Sequence, residues 1–167
     1  LETVDGRSAE GLRAELGFGS HGRKRAEVGL GQRHANGWHS YLGGTVFDEN
    51  GWRDHSPGRQ ALVLARIGRS DGGTDWSVGL LGGSATLVGN GLLPSATLDE
   101  DGKRTPDLYA ASRSAVFTHP DRTKNRLAQA TVNLSQQLAA GSRLQALAYA
   151  RNSRRDTVNG DGADDFD

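Results

Sequence analysis

The sequence predicts an all-β protein, an antiparallel meander of about seven strands. Three observations predict it. Apolar residues recur at every second position in seven separate runs, which is typical of strands with one apolar and one polar face. Turn residues separate the runs, as in Asn36-Gly37 and Asp71-Gly72-Gly73-Thr74. Short connections between runs alternate with connections of unequal length.

The first three runs lie between residues 12 and 47. Charged residues and glycine occupy most positions between the apolar ones, so we expect one face of each strand to be polar. The turn Ser20-His21-Gly22 separates the first run from the second. The apolar positions are Leu12, Ala14, Leu16 and Phe18 in the first run and Ala26, Val28 and Leu30 in the second. The third run follows the Asn36-Gly37 turn and reads Trp38-His39-Ser40-Tyr41-Leu42-Gly43-Gly44-Thr45-Val46-Phe47.

The fourth and fifth runs follow the same period. In the fourth run, Leu62 and Leu64 add apolar side chains to the opposite face and blur the alternation. The fifth run alternates against Ser77 and Gly79. The apolar positions are Ala61, Val63, Ala65 and Ile67 in the fourth run and Trp76, Val78 and Leu80 in the fifth.

The sixth and seventh runs cover residues 127–151. Helix is the competing interpretation there, because Ala, Leu and Gln are good helix formers. The polar positions 129, 131, 133 and 135 do not fall on one helical stripe, so strands are favoured. The apolar positions are Ala128, Ala130, Val132 and Leu134 in the sixth run and Leu144, Ala146, Ala148 and Ala150 in the seventh.

The connections carry a second signal. Residues 34–37, 70–75 and 139–142 form short connections, which alternate with residues 21–24, 50–59, 89–125 and a tail from Ser153. Short turns at one end and variable loops at the other are typical of bacterial outer-membrane barrels. Trp38 and Trp76 each open a strand after a short turn. Such residues suit an aromatic girdle at a membrane interface, or the cap of a soluble sheet.

Composition excludes several classes of protein. Lys and Arg total 20, as do Asp and Glu, so the chain lacks the basic charge that nucleic acid requires of a partner. There is no cysteine, which removes disulfides, cysteine metal ligands and thiol catalysis. No apolar run reaches 18 residues, so a membrane helix is not expected. Strands of about 9–11 residues can still cross a membrane as a barrel.

Four segments resemble the early barrel of TonB-dependent outer-membrane receptors. The resemblance covers the chain from about residue 10 onward, and the order and spacing of the segments agree with the family. Each segment alone is a loop sequence of low specificity. The segments are Gly51-Trp52-Arg53-Asp54-His55-Ser56-Pro57, Gly89-Asn90-Gly91-Leu92-Leu93-Pro94, Thr118-His119-Pro120-Asp121-Arg122-Thr123-Lys124-Asn125-Arg126 and Val158-Asn159-Gly160-Asp161.

The resemblance implies an organisation and a function. Residues 1–9 would be the end of a plug domain or the link from it, and residues 10–167 the incomplete first part of a transmembrane β-barrel. The plug itself is expected outside these residues. The parent protein would take up a scarce ligand, such as a siderophore or another iron chelate, across the bacterial outer membrane. Its partners would be outer-membrane lipid, the ligand, and the TonB-ExbB-ExbD system acting through the plug.

Candidate ligand-binding residues lie in the predicted outer loops. Arg53 could contact an anionic ligand, since a guanidinium matches a carboxylate. Arg53 and Asp54 could instead fix their own loop beside Trp52, which is the favoured interpretation. The ligand-binding candidates are Arg53, Asp54, His55, Asn90, His119 and Arg122.

No catalytic site, metal site or cofactor is predicted. His119 has no further metal ligand close in sequence. The acidic tail at 159–165 resembles a calcium loop in composition but lacks the EF-hand spacing. No nucleophile elbow or nucleotide-binding motif is present. The chain is therefore not expected to be an enzyme, and an outer-membrane hydrolase is the least favoured class.

Two further classes of β-protein stay open. A passive porin would share the strand pattern but would have no plug. A soluble or secreted β-sheet binding module would turn the apolar faces into one closed core, whereas a membrane barrel turns them outward to lipid.

Overall fold

The computed structural model describes residues 4–89, 93 and 95–160. They form one antiparallel sheet in which each strand pairs with its neighbours in sequence. The prediction of seven antiparallel strands in a meander is confirmed. The strands are β1 (Gly11–Phe18), β2 (Lys24–Arg33), β3 (Trp38–Glu49), β4 (Gly58–Asp71), β5 (Thr74–Val88), β6 (Arg122–Gln137) and β7 (Arg143–Val158).

Helix is confined, in the part of the chain that the structure describes, to α1 (Leu108–Ala111) and one 3-10 turn, Ala139–Gly141. Residues 127–137 and 143–151, for which helix was the competing interpretation, lie in β6 and β7. None of the helices among these residues is long and apolar enough to cross a membrane.

The sheet is open. In the described ranges β1 pairs only with β2, and β7 only with β6, so both outer strands keep an unpaired edge. The seven strands do not close into a barrel.

The predicted apolar positions of six runs, together with Trp38, Leu42 and Val46 of the third run, fall on one face of the sheet, which we call the apolar face. Cross-strand partners in a sheet share a face, so the strand register determines which residues lie on the apolar face. One row joins Ala65 to Leu80, Ala130 and Ala150. The next joins Ile67 to Val78, Val132 and Ala148.

The apolar face is exposed. Leu16 is 72% exposed, Leu80 57% and Val132 47%, and no hydrophobic side chain is buried among the residues described. The protein has 12204 Å² of accessible surface, whereas a compact monomer of its mass would have roughly 8,000 Å². The sheet therefore has no hydrophobic core on either side, in the part of the chain that the structure describes.

The opposite face, called the polar face, is rich in glycine and polar residues. One of its rows joins Gly31 to Tyr41, Arg66, Gly79, Thr131 and Tyr149. On this face Glu15 of β1 is the cross-strand partner of Glu27 of β2. The repulsion between the two carboxylates is offset within each strand, because Glu15 forms an ion pair with Arg13 at 3.4 Å and Glu27 forms one with Arg25 at 2.5 Å.

The two ends of the sheet differ as the sequence predicted. Short turns lie at one end, where Gly72 and Gly73 form the β4–β5 turn with φ of 53° and 135°, values that glycine adopts readily. At this end Trp38 and Trp76 meet edge to face, with ring centroids 5.4 Å apart. The long connections lie at the other, long-loop end.

Several predicted boundaries were wrong, and the two largest differences are at the ends of β6 and β7. The tail expected from Ser153 continues as strand to Val158, and the long connection ends at Asp121 rather than Asn125. Polar and charged residues interrupt the apolar alternation there, yet the backbone still pairs, as Arg122 with Val158 shows. The hydrophobic period therefore marks only the apolar part of these strands.

Candidate functional site

Two loops meet at the long-loop end and form the candidate site. The amide of Asp54, in the β3–β4 connection, donates to the carbonyl of Ser114 in the β5–β6 connection at 2.8 Å. The Arg53 guanidinium donates to the Ala115 carbonyl at 2.9 Å. The rings of His55 and His119 lie 4.7 Å apart between centroids. The sequence motifs around residues 53 and 119 are thus neighbours in space.

Local turn chemistry presents the first loop. The Ser56 hydroxyl donates to the Arg53 carbonyl at 2.6 Å and closes a tight turn. Within that turn His55 has a φ of 53°, a left-handed conformation that is uncommon for residues other than glycine. The Arg53 guanidinium lies 5.8 Å from the centre of the Trp52 ring. The turn directs Arg53 and His55 toward the second loop.

The second loop has internal structure of its own. Thr97 and Thr105 pair through their backbones at 2.8 Å, and α1 begins where the Asp107 carboxylate accepts from the Ala110 amide at 2.8 Å. Between these features lies a recess of about 730 Å³ with a largely apolar lining. Its lining includes Leu93, Pro106, Leu108 and Phe117.

Asp121 ties the base of the long loop to the end of β7. Its carboxylate accepts from the Thr118 hydroxyl and from the Gly160 amide, both at 2.5 Å. Its backbone carbonyl accepts from the Gly89 amide at 2.8 Å. Sequence reasoning included Asp121 only within the segment from Thr118 to Arg126, and it missed this role because the partner at Gly160 is 39 residues away.

The predicted site residues divide into three groups. Arg53, Asp54, His55 and His119 come together between the loops. Arg122 begins β6 in register with Val88 and Val158, and so lies on the apolar face. Asn90 and most of the segment 89–94 lie outside the described residues, as does the acidic tail from residue 161.

The chemistry available to this cluster is recognition by polar contacts. His55 and His119 are exposed, as is Asp54, and imidazoles can donate, accept or ligate a metal. The contact of Arg53 with the Ala115 carbonyl joins the β3–β4 connection to the β5–β6 connection. Within the described ranges, no group of three or more His, Cys, Asp or Glu residues is placed to hold a metal ion.

A second polar cluster lies on the polar face at the short-turn end. The segment from Val4 to Glu10 crosses this face, and the Arg7 guanidinium contacts the carboxylates of Asp5 and Asp75 and the hydroxyl of Ser70. Burial disfavours ionisation of Asp5. The hydrogen bonds from Arg7 and from the Ser8 and Arg7 amides outweigh burial and hold the pKa of the Asp5 carboxyl well below its usual range. The same pairing raises the pKa of Arg7.

Glycines let this segment approach the sheet closely. A Cβ added to Gly31 would overlap the Ala9 carbonyl, and one added to Gly6 would overlap the Ser40 carbonyl. Nearby, His39 and Ser77 are only 1% exposed. Neither ring nitrogen of His39 has a hydrogen-bond partner among the described residues. Sequence reasoning missed this cluster, whose one local signal is the turn-forming pair Asp5-Gly6.

Comparison of the chain with protein-family models, with curated proteins and with solved structures finds no match.

Proposed function

We propose that residues 10–167 form the first part of the barrel of a TonB-dependent receptor in the bacterial outer membrane. The receptor would take up a scarce ligand, an iron chelate such as a siderophore. One observation carries the membrane part of this proposal: the alternating apolar positions of seven successive strands share one exposed face.

The arrangement of the two faces supports a barrel wall over a soluble module. A soluble sheet covers its apolar face with another layer, whereas a membrane barrel exposes that face to lipid and encloses the polar one. Strands β3 to β7 have 12 to 16 residues, more than the about 9–11 needed to cross a bilayer at a tilt. An exposed apolar surface of this extent is otherwise an aggregation hazard.

The boundaries of the apolar face support the same assignment. At the short-turn end it finishes at Trp38 and Trp76, whose rings meet, and aromatic residues favour the membrane interface. At the long-loop end it finishes at a row that includes Lys24, Asp48 and Arg59. An apolar band between an aromatic and a charged border matches the profile of a bilayer.

The segment from Val4 to Glu10 favours a receptor over a passive porin. It lies against the polar face, held by the contacts of Arg7 with Ser70 and Asp75. In a closed barrel that face is the interior, so the chain would enter the wall from inside. A plug domain seated in the barrel would send its connecting segment along this route.

The loop cluster and the apolar recess are the proposed ligand contacts. Outer loops are positioned by the rigid sheet and are common sites of recognition. His55, His119 and Asp54 would offer polar contacts, with Arg53 holding the loops together. Coupling to the TonB-ExbB-ExbD system would act through the plug, and no chemical conversion of the ligand is proposed.

Cysteine scanning tests the membrane assignment, since the chain has no native cysteine. Single cysteines would replace Ala128, Ala130 and Val132 on the apolar face, with Gln129, Thr131 and Asn133 as matched controls one residue away. In intact outer membranes, we expect lipid-phase quenchers to reach labels at the first set only. Equal access of a water-soluble maleimide to both sets would contradict the proposal.

Growth experiments test the receptor assignment separately. Deletion of the gene should slow growth on one defined iron chelate, and removal of TonB should abolish uptake of that chelate to the same extent. Restoration by the wild-type gene is the control. Uptake that continues without TonB would favour the passive porin.

A further inference from the structure

The two ends of the apolar face differ in charge. At the short-turn end, the ion pair of Arg69 with Asp71 at 2.8 Å is neutral overall. At the long-loop end, the register places six basic and only two acidic side chains of the described residues on this face. They are Lys24, Arg59, Arg122, Lys124, Arg126 and Arg154, with Asp48 and Asp156.

The excess positive charge is concentrated on β6 and β7. Asp48 is paired with Arg59 at 2.7 Å, which neutralises the rim near β3 and β4. On β6, by contrast, Arg122, Lys124 and Arg126 are exposed. None of these three side chains has a hydrogen bond or ion pair with any residue that the structure describes.

Two arginines of this patch face each other. Arg126 is the direct cross-strand partner of Arg154, and like charges in that position destabilise a sheet. Arg154 forms an ion pair with Asp156 at 3.3 Å, but Arg126 forms no ion pair with an acidic residue among the described residues. On the other side of β6, Ser84 and Thr86 are in register with Arg126 and Lys124, so two hydroxyl groups border the cations. An anion between the arginines would turn the repulsion into attraction.

In the proposed membrane orientation, the patch would lie at the depth of lipid phosphates. Arg126 lies two residues before Ala128, at the long-loop end of the apolar band of β6, a displacement of about 7 Å along the strand. In a bilayer, the headgroup phosphates lie immediately outside the hydrocarbon region. Arginine binds phosphate through two parallel hydrogen bonds.

We propose that Arg122, Lys124, Arg126 and Arg154 form a site for the phosphate of a membrane lipid headgroup. This proposal rests on the proposed function, because the apolar face must lie in lipid for the acyl chains to pack below the patch. The lipid is the ligand, and its phosphate bridges Arg126 and Arg154 while the acyl chains lie along the apolar band.

The test uses the complete membrane protein that contains this chain, purified in a neutral detergent. Phosphatidic acid and phosphatidylcholine are titrated in separately, and bound lipid is counted by native mass spectrometry. We expect Arg126→Gln with Arg154→Gln to weaken binding of phosphatidic acid roughly 25-fold, since each basic side chain near an anionic lipid surface contributes a factor of about five. Arg126→Lys with Arg154→Lys should restore most of the binding.

The matched control is Arg151→Gln with Arg155→Gln, on the same strand but on the polar face. It should leave binding of phosphatidic acid unchanged. An equal loss in this control would overturn the site, as would unaltered binding in the Arg126 and Arg154 variant. Displacement of the lipid by equimolar inorganic phosphate would also overturn it, because it would identify a free-anion site.

Failure of this proposal and failure of the proposed function have different signatures. If only the phosphate site is wrong, cysteines on the apolar face still meet lipid-phase quenchers, and the two lipids bind equally. If the membrane assignment is wrong, cysteines on both faces react with the water-soluble maleimide and neither lipid is retained.

Discussion

Arg7 and Asp75, 68 positions apart in sequence, are joined by a charged hydrogen bond on the polar face of the sheet. Ser70 contacts both, since its hydroxyl donates to the Asp75 carboxylate and accepts from Arg7, each at 2.8 Å. This small network attaches the N-terminal segment to the β4–β5 hairpin. It connects an irregular N-terminal segment to one of the longest strand pairs.

Removing either partner should loosen the segment without unfolding the sheet. We expect Arg7→Ala, Asp75→Ala and the double variant to give a coupling energy of about 1 kcal/mol, since both side chains are about one-third exposed and the pair is partly screened. The coupling energy is obtained from the rates of protease cleavage within residues 4–10 of the three variants and the wild type. Arg13→Ala, which breaks an exposed pair on β1, should not change cleavage. Additive effects of the two single variants would contradict the contact.

Acid should release the same segment. The pKa of Asp5 is lower in the folded protein than its ordinary value of 3.8. Its contribution to stability is therefore complete above that ordinary value and is lost as pH falls toward the folded pKa. The Arg7 and Ser8 amides should be protected from hydrogen exchange at neutral pH, and this protection should decline progressively as pH falls below about 4. Asp5→Asn should weaken protection at neutral pH and flatten this dependence.

Gly31 should not tolerate a side chain. An added Cβ would overlap the backbone carbonyl of Ala9, which has no freedom to rotate away. Gly31→Ala is expected to cost about 1–3 kcal/mol and to displace the segment, which a spin label at Ser8 would report as increased mobility. Gly79→Ala is the control, since its nearest neighbour would be 3.9 Å away on the same face. An immobile label in Gly31→Ala would argue against close packing of residues 4–10 on the sheet.

Arg53 should order the long loop. Arg53→Ala removes the hydrogen bond to the Ala115 carbonyl, and bonds from charged donors contribute about 1.5–3 kcal/mol when shielded. Faster hydrogen exchange over residues 112–119 is the expected result, by roughly three- to tenfold because the site is only partly buried. Arg113→Ala, in the same loop but stacked on Tyr109 at 5.7 Å, serves as the comparison. Equal acceleration in both variants would mean that Arg53 has no special role.

The sequence was informative where side chains alternate. The positions from Ala128 to Leu134 and from Leu144 to Ala150 identified both strands and their apolar face, because period two constrains the face directly. The sequence did not predict that β6 and β7 extend over residues 122–126 and 153–158. Charged and polar residues there give no apolar alternation, although the two backbones still pair.

The site was predictable only in part. The motifs around Arg53 and His119 were recognised separately, but their contact depends on how two loops fold over the same end of the sheet. The cluster of Arg7, Asp75 and His39 was not recognised at all. Its members come from three distant segments, and each residue alone is an ordinary polar residue of a turn or strand.

The alternation that builds the apolar face also affects the chain before it folds. Every apolar side chain of that face is followed by a residue of the other face, so the mean hydropathy of the chain is only −0.60. A segment that stays in a membrane as a helix needs about 20 consecutive apolar residues, and this sequence contains no such segment. In the proposed outer-membrane receptor, such a chain would cross the inner membrane without being retained there, and its apolar face would come into existence only when the strands pair.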